Sequence, residues 1–124
     1  MKHPIQYALT YPERRPAKLA PLDLIRRGAL TFEAVDREKF PCLGLAYRAL
    51  ACGSTAPVAL NAANEVAVAG FLSHRLPFLG IAEIVEAVLE EHDAGAAASV
   101  EEVLAIDAAS RARASRALER RAIC

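Results

Sequence analysis

Apolar residues recur along most of this chain at helical spacing, with strand-like alternation confined to one short stretch. Ile5, Ala8 and Leu9 share one side of a candidate helix over 3–11, with Pro4 in its first turn and Pro12 preventing continuation. Pro12, Pro16 and Pro21 follow, interspersed with Arg14, Arg15 and Lys18, and favour an extended, polyproline-like connector. Leu30-Thr31-Phe32-Glu33-Ala34 then alternates apolar and polar, placing Leu30, Phe32 and Ala34 on one face of a strand. A strand needs a partner for its N–H and C=O groups, and no second strand pattern occurs in the sequence, so the partner is expected outside it.

From residue 36 onward the period is helical. Asp36 caps a turn into Phe40-Pro41, and Leu43, Ala46, Tyr47 and Leu50 form the apolar face of a helix stopped by Gly53. Thr55 is the expected N-cap of a helix over about 56 to 74, with Pro57 tolerated in its first turn. Val58, Leu60, Val66, Val68, Phe71 and Leu72 make that helix apolar on nearly every side, which places it in the middle of a bundle. Pro77 opens the next helix, where Ile81, Ile84, Val85, Val88 and Leu89 form a stripe and Glu83, Glu86, Glu90 and Glu91 face away. A small-residue loop spans 93–98, and Ser99 with Glu102 makes a capping box. Asp107 is read as restarting the last helix, which ends in Arg111, Arg113, Arg116, Arg120 and Arg121, base late as the helix dipole prefers. The predicted fold is mainly α: a Pro-rich extended arm with one short strand over 1–36, then a helical bundle over 37–124. The bundle is expected to fold while the arm stays mobile.

Composition narrows the function. Hydrophobic residues make up 54% of the chain while aromatics supply only 6%, which suits closely packed helices better than a sandwich of sheets. Fifteen basic residues balance fifteen acidic ones, so no net field draws the chain to nucleic acid or an acidic membrane, and none opposes a homo-oligomer. Apolar runs are broken by charge before the roughly 20 residues a membrane span needs, and no signal-peptide core follows Met1. Cys42, Cys52 and Cys124 show no CxxC spacing and read as reduced thiols, two of them buried as small apolar residues, in a cytoplasmic protein.

Candidate chemistry is sparse. His3, His74 and His92 include no pair at the i, i+4 spacing of a helical zinc site, and His92-Asp93 beside Glu90 and Glu91 reads as a solvated helix end. Ser73-His74 are adjacent without a third triad member, and the glycines never fall in a phosphate-loop pattern. The arginines of the last helix are dispersed around it, which suits a solvated face rather than a phosphate patch. The most unusual feature is Asn61, Asn64 and Glu65 on one side of an otherwise apolar helix. These residues point either to a polar ligand face or, as favoured here, to a stripe that bonds loop backbone or a neighbouring domain. No catalytic or metal set is identified.

Several stretches together carry a family likeness: Met1-Lys2-His3-Pro4-Ile5-Gln6-Tyr7-Ala8-Leu9, Pro21-Leu22-Asp23-Leu24, Leu30-Thr31-Phe32, Phe40-Pro41-Cys42-Leu43, Leu60-Asn61-Ala62-Ala63-Asn64-Glu65-Val66 and Val103-Leu104-Ala105-Ile106-Asp107. In this order and spacing they resemble the C-terminal end of the 1-deoxy-D-xylulose 5-phosphate reductoisomerases. The resemblance implies a reaction of the non-mevalonate isoprenoid pathway. In it NADPH and a divalent metal, magnesium or manganese, serve conversion of 1-deoxy-D-xylulose 5-phosphate to 2-C-methyl-D-erythritol 4-phosphate. It also implies a homodimer of three-part subunits, with this sequence starting at the end of the catalytic domain, from an internal methionine of the family pattern, and running through connector and helical domain. The cofactor loop, acidic metal ligands and phosphate-binding residues of the family have no counterpart here. Only Met1 matches a family position near the nicotinamide and substrate. The implied partners are the N-terminal and catalytic domains, in one polypeptide or as a separate chain. The expected role is a structural domain, inactive alone. A split enzyme and a stand-alone helical binding module are the other readings.

Overall fold

The computed structural model describes residues 2–16, 20 and 22–121. Six helices form: α1 (Lys2–Thr10), α2 (Leu24–Arg27), α3 (Cys42–Cys52), α4 (Ala56–Leu72), α5 (Phe78–Glu90) and α6 (Val100–Arg121). The chain divides into two units, Met1–Ala34 and Val35–Cys124. The first buries no residue of either of its helices.

In that first unit, α1 stops where Pro12 prevents its continuation. The single turn α2 is a correction to the extended connector: Asp23 accepts a hydrogen bond from the Arg26 N–H at 3.0 Å and caps it. Residues 17–19 and 21 of the proline-rich stretch lie outside the described residues. Residues 30–34, read as a strand, form no regular element and are exposed. Their alternating pattern is sufficient for a strand face, but a ladder needs a second strand, and none occurs among the described residues.

The second unit is a bundle organised around α4, which packs on α6, α5 and α3, while α5 also meets α6 and α3. Asp36 accepts from the N–H groups of Glu38 and Lys39 at 3.0 and 2.9 Å, shaping the turn before α3. Gly53, at φ 67°, ends α3 by donating its N–H to the Ala49 carbonyl. The α5 stripe is the main aliphatic contribution, with Ile81, Ile84, Val85 and Val88 buried, each stabilising by roughly 1.5–3 kcal/mol.

Four expectations need correction. The fully buried face of α4 is made of small residues (Ala59, Ala62, Ala63, Ala67 and Gly70), and Leu72 is exposed. Three neighbouring helices can approach one helix only where its contact lines are thin; larger side chains then lean into the gaps. α3 buries Leu45 and Ala49 and turns Leu43, Ala46, Tyr47 and Leu50 outward. Asp107 does not restart a helix, because α6 runs unbroken through it. Thr55 stands at the N-cap of α4, but its side chain makes no capping bond.

Candidate functional site

The polar stripe on α4 was the strongest candidate for chemistry, and α6 completes it. Asn61 donates from Nδ2 to Glu65 Oε1 at 3.1 Å, one turn along α4. Arg111 of α6 donates from Nη2 to Glu65 Oε2 at 2.7 Å. The same guanidinium holds Asp107 through Nε at 2.7 Å and Nη2 at 3.2 Å. The hydrogen bond from Arg111, then that from Asn61, lowers the pKa of the Glu65 carboxyl below its ordinary value. Asp107 first, then Glu65, raises that of Arg111. Glu65 is therefore ionised at neutral pH with both oxygens engaged, and its partner stays protonated. Such a pair neither accepts nor delivers a proton in that range. The Arg111–Glu65 bond clamps α6 to α4, while the Asn61–Glu65 bond lies within α4. Asn64 is half-buried, and its side chain makes no hydrogen bond among the described residues.

A second polar cluster joins the start of α4 to the loop after α5. Thr55 is 2% exposed, and its Oγ1 donates to the Gly95 carbonyl at 2.8 Å. A hydroxyl has one proton, so His92, whose Nε2 lies 2.9 Å from the same oxygen, is the donor of that second bond. Ser54 Oγ also donates to Gly95, at 2.6 Å. His92 is thus half-buried and engaged, a correction to the solvated helix end read from the sequence.

The remaining candidates do not converge. His3 and His74 are exposed, and the single proton of the Ser73 hydroxyl is shared between the Ala69 and Gly70 carbonyls of α4, 2.9 and 3.0 Å away. Cys52 is exposed and Cys42 half-buried, with burial raising the Cys42 thiol pKa; the expectation of two buried cysteines is not met. Met1 and Cys124 lie outside the described residues. Among α6 arginines, Arg111 is committed to the clamp and Arg121 pairs with Glu83 at 3.3 Å. Among the described residues no three His, Cys, Asp or Glu side chains are grouped to hold a metal ion, and no helix is long and apolar enough to cross a membrane.

What the second unit does present is apolar surface. Phe40 stacks edge-on to Phe78 at 6.2 Å, and Phe78 does the same with Phe71 at 6.0 Å. Phe40, Pro41, Phe78 and Leu79 help to wall a cleft of about 70 Å³.

The family model for the DXP reductoisomerase C-terminal domain matches residues 1–113. The chain belongs to that family. The 1-deoxy-D-xylulose 5-phosphate reductoisomerase of Trichlorobacter lovleyi is 52% identical over 114 residues, which cover 92% of this chain and 29% of the relative. That of Dechloromonas aromatica is 55% identical over 111 residues, 90% of this chain and 28% of its own length. The solved reductoisomerase from Zymomonas mobilis in complex with NADPH is 39% identical, with a TM-score of 0.79 over 95% of this chain and 31% of that one. A crystal structure of a DOX-P reductoisomerase in complex with magnesium gives a TM-score of 0.74 at 38% identity, covering 95% of this chain and 32% of that one. The sequence of this DXP reductoisomerase C-terminal domain therefore spans less than a third of the length of the relatives it matches.

Proposed function

We propose that this chain acts as the C-terminal structural domain of a 1-deoxy-D-xylulose 5-phosphate reductoisomerase, bracing the catalytic part by packing and performing no turnover alone. The observation that carries the reading is the C-terminal-domain match over residues 1–113. The pairing of Arg111 with Glu65 and Asp107 is consistent with it, because the polar stripe of α4 finds a partner on α6 within the bundle.

In this reading NADPH and magnesium or manganese are held by the part of the family polypeptide that the sequence does not span. That part supplies the NADPH-dependent conversion to 2-C-methyl-D-erythritol 4-phosphate, in the cytoplasm. Residues 30–34 add the strand that their alternation encodes, joining a sheet of the catalytic part through backbone hydrogen bonds, with Leu30, Phe32 and Ala34 on its covered face. The proline-rich stretch before them is the interdomain connector. Neither a nucleic acid nor a membrane surface is a partner, consistent with a net charge of zero.

The test is NADPH oxidation with 1-deoxy-D-xylulose 5-phosphate and magnesium. The chain is assayed alone and mixed with the portion of the Trichlorobacter lovleyi enzyme that precedes the matched stretch. The reading expects no turnover by the chain alone and none in the mixture beyond that of the added portion; a higher rate in the mixture would establish the split-enzyme reading instead. Turnover by the chain alone would contradict it.

A further inference from the structure

α6 is held unevenly along its length. Its second half buries Ser110, Ala114, Ala117 and Leu118, and Arg111 among them is bound to Glu65 of α4 at 2.7 Å. None of the described residues at 91–109 is buried: Val103 and Ile106 come only half under cover, while Val100 and Leu104 are 69 and 63% exposed. Burial of apolar surface is the main force that holds a segment down. The α5–α6 loop and the first turns of α6 therefore have little of it, the condition under which part of a fold opens by itself.

What fastens this stretch is polar and sits at one point. The Gly95 carbonyl receives the hydroxyls of two successive residues, Ser54 at 2.6 Å and Thr55 at 2.8 Å, which engages both of its lone pairs. His92 Nε2 adds a bond to the Thr55 oxygen at 2.9 Å. The other side-chain hydrogen bonds of the stretch stay local: Ala98 N–H to Glu102, Glu102 N–H to Ser99, and Arg111 to Asp107. The corner between α3 and α4 carries a cost where it meets the loop. Ser54 lies at φ 49°, a left-handed conformation unfavourable for a residue with a Cβ. Thr55, at the N-cap, gives its hydroxyl to the loop and not to α4. We propose that residues 93–109 form a flap that opens by local unfolding while the rest of the bundle stays folded, with the Ser54–Thr55 hydroxyl pair as its latch. The hinge lies where burial begins, at Ser110 and Arg111, and opening uncovers Thr55, which is 2% exposed with the latch closed. The flap is a property of the bundle by itself and does not depend on the bracing role.

The experiment follows amide hydrogen exchange along α6 by NMR in the whole chain, comparing the N–H groups of residues 104–109 with those of 114–118. Both sets lie inside the helix, so exchange at either one requires the helix to open there. In wild type the first set is expected to exchange about tenfold or more faster than the second. Thr55→Val keeps the shape of the side chain and removes the hydroxyl. It is expected to speed the first set by about a further tenfold, the weight of one or two hydrogen bonds, and to leave the ratio of the second set to wild type near one. Thr55→Ser, which restores the hydroxyl, is expected to exchange as wild type does. If Thr55→Val does not fold, Ser54→Ala at an exposed position carries the same test, with an acceleration of about threefold from the single bond lost. Equal rates in both sets in wild type would overturn the flap. An acceleration shared equally by both sets would also overturn it, since the hydroxyl would then serve overall stability alone. No acceleration of the first set in the hydroxyl-free variant would overturn the latch.

Discussion

Glu65, Arg111 and Asp107 illustrate how a residue's neighbours fix its role. A carboxylate in an apolar helix can be an acid, a base or a strut, and here both oxygens of Glu65 accept hydrogen bonds, one from Asn61 and one from Arg111. Ser110 is the opposite case: it is 1% exposed and its Oγ has no hydrogen-bond partner among the described residues. A buried hydroxyl without a partner forfeits its hydration, and alanine removes that cost while improving helix propensity. Ser110→Ala is expected to raise stability by up to about 1 kcal/mol in urea melts, and a loss of that size would show that the hydroxyl has a partner. Residue-level features were legible where partners lie close in sequence. The capping pattern Ser99–Glu102 is an example: Ser99 Oγ accepts from the Glu102 N–H at 3.2 Å, although the carboxylate returns to Ala98 N–H rather than to Ser99. The Thr55–His92 bond, 37 residues apart, and Arg111–Glu65, 46 apart, were not legible, because no local pattern encodes which helices meet.

At the scale of elements, helix existence was readable because propensity and period agree over long stretches, while facing was not. In α3 the sequence offers two apolar rows, and the larger one suggests the core face. Ala49 lies on the inner row and lets α3 come close to the bundle, whereas the bulk of Tyr47 and Leu50 remains outside. α4 follows the same logic. Close approach also explains Gly80, where an added Cβ would sit 2.8 Å from Leu76 Cγ and 3.3 Å from Pro77 Cδ. Leu76 is 3% exposed and cannot yield, so Gly80→Ala is expected to cost about 1–3 kcal/mol despite its gain in helix propensity. Gly70→Ala meets the terminal methyls of Leu118 at 2.9 and 3.0 Å, with its Cγ in ordinary contact at 3.5 Å, and is expected to cost less. Thermal melts of the two variants check the order; the reverse order would mean that the α5 N-terminus has room that the packing does not show. The residue 30–34 stretch shows the limit of pattern reading: alternation specifies a face, and only a neighbouring strand converts it into a ladder.

On the scale of the whole molecule, the bundle has a core, a clamp between α4 and α6, and an apolar row with no occupant among the described residues. The family match places the chain at the C-terminal end of the DXP reductoisomerases. The likeness was legible because its stretches extend over most of the chain in a fixed order, whereas no single site residue would have carried it. The central claim is that this chain supplies the structural domain and that the chemistry resides elsewhere in the polypeptide. The most direct measurement replaces the matched C-terminal stretch of the Trichlorobacter lovleyi enzyme with this chain, and compares NADPH oxidation by the chimera, the parent and the parent lacking that stretch. The account predicts turnover in the chimera within about tenfold of the parent, and a deletion that is at least 100-fold slower, as loss of a positioning scaffold entails. A deletion as active as the parent, or a folded chimera with no turnover, would contradict it.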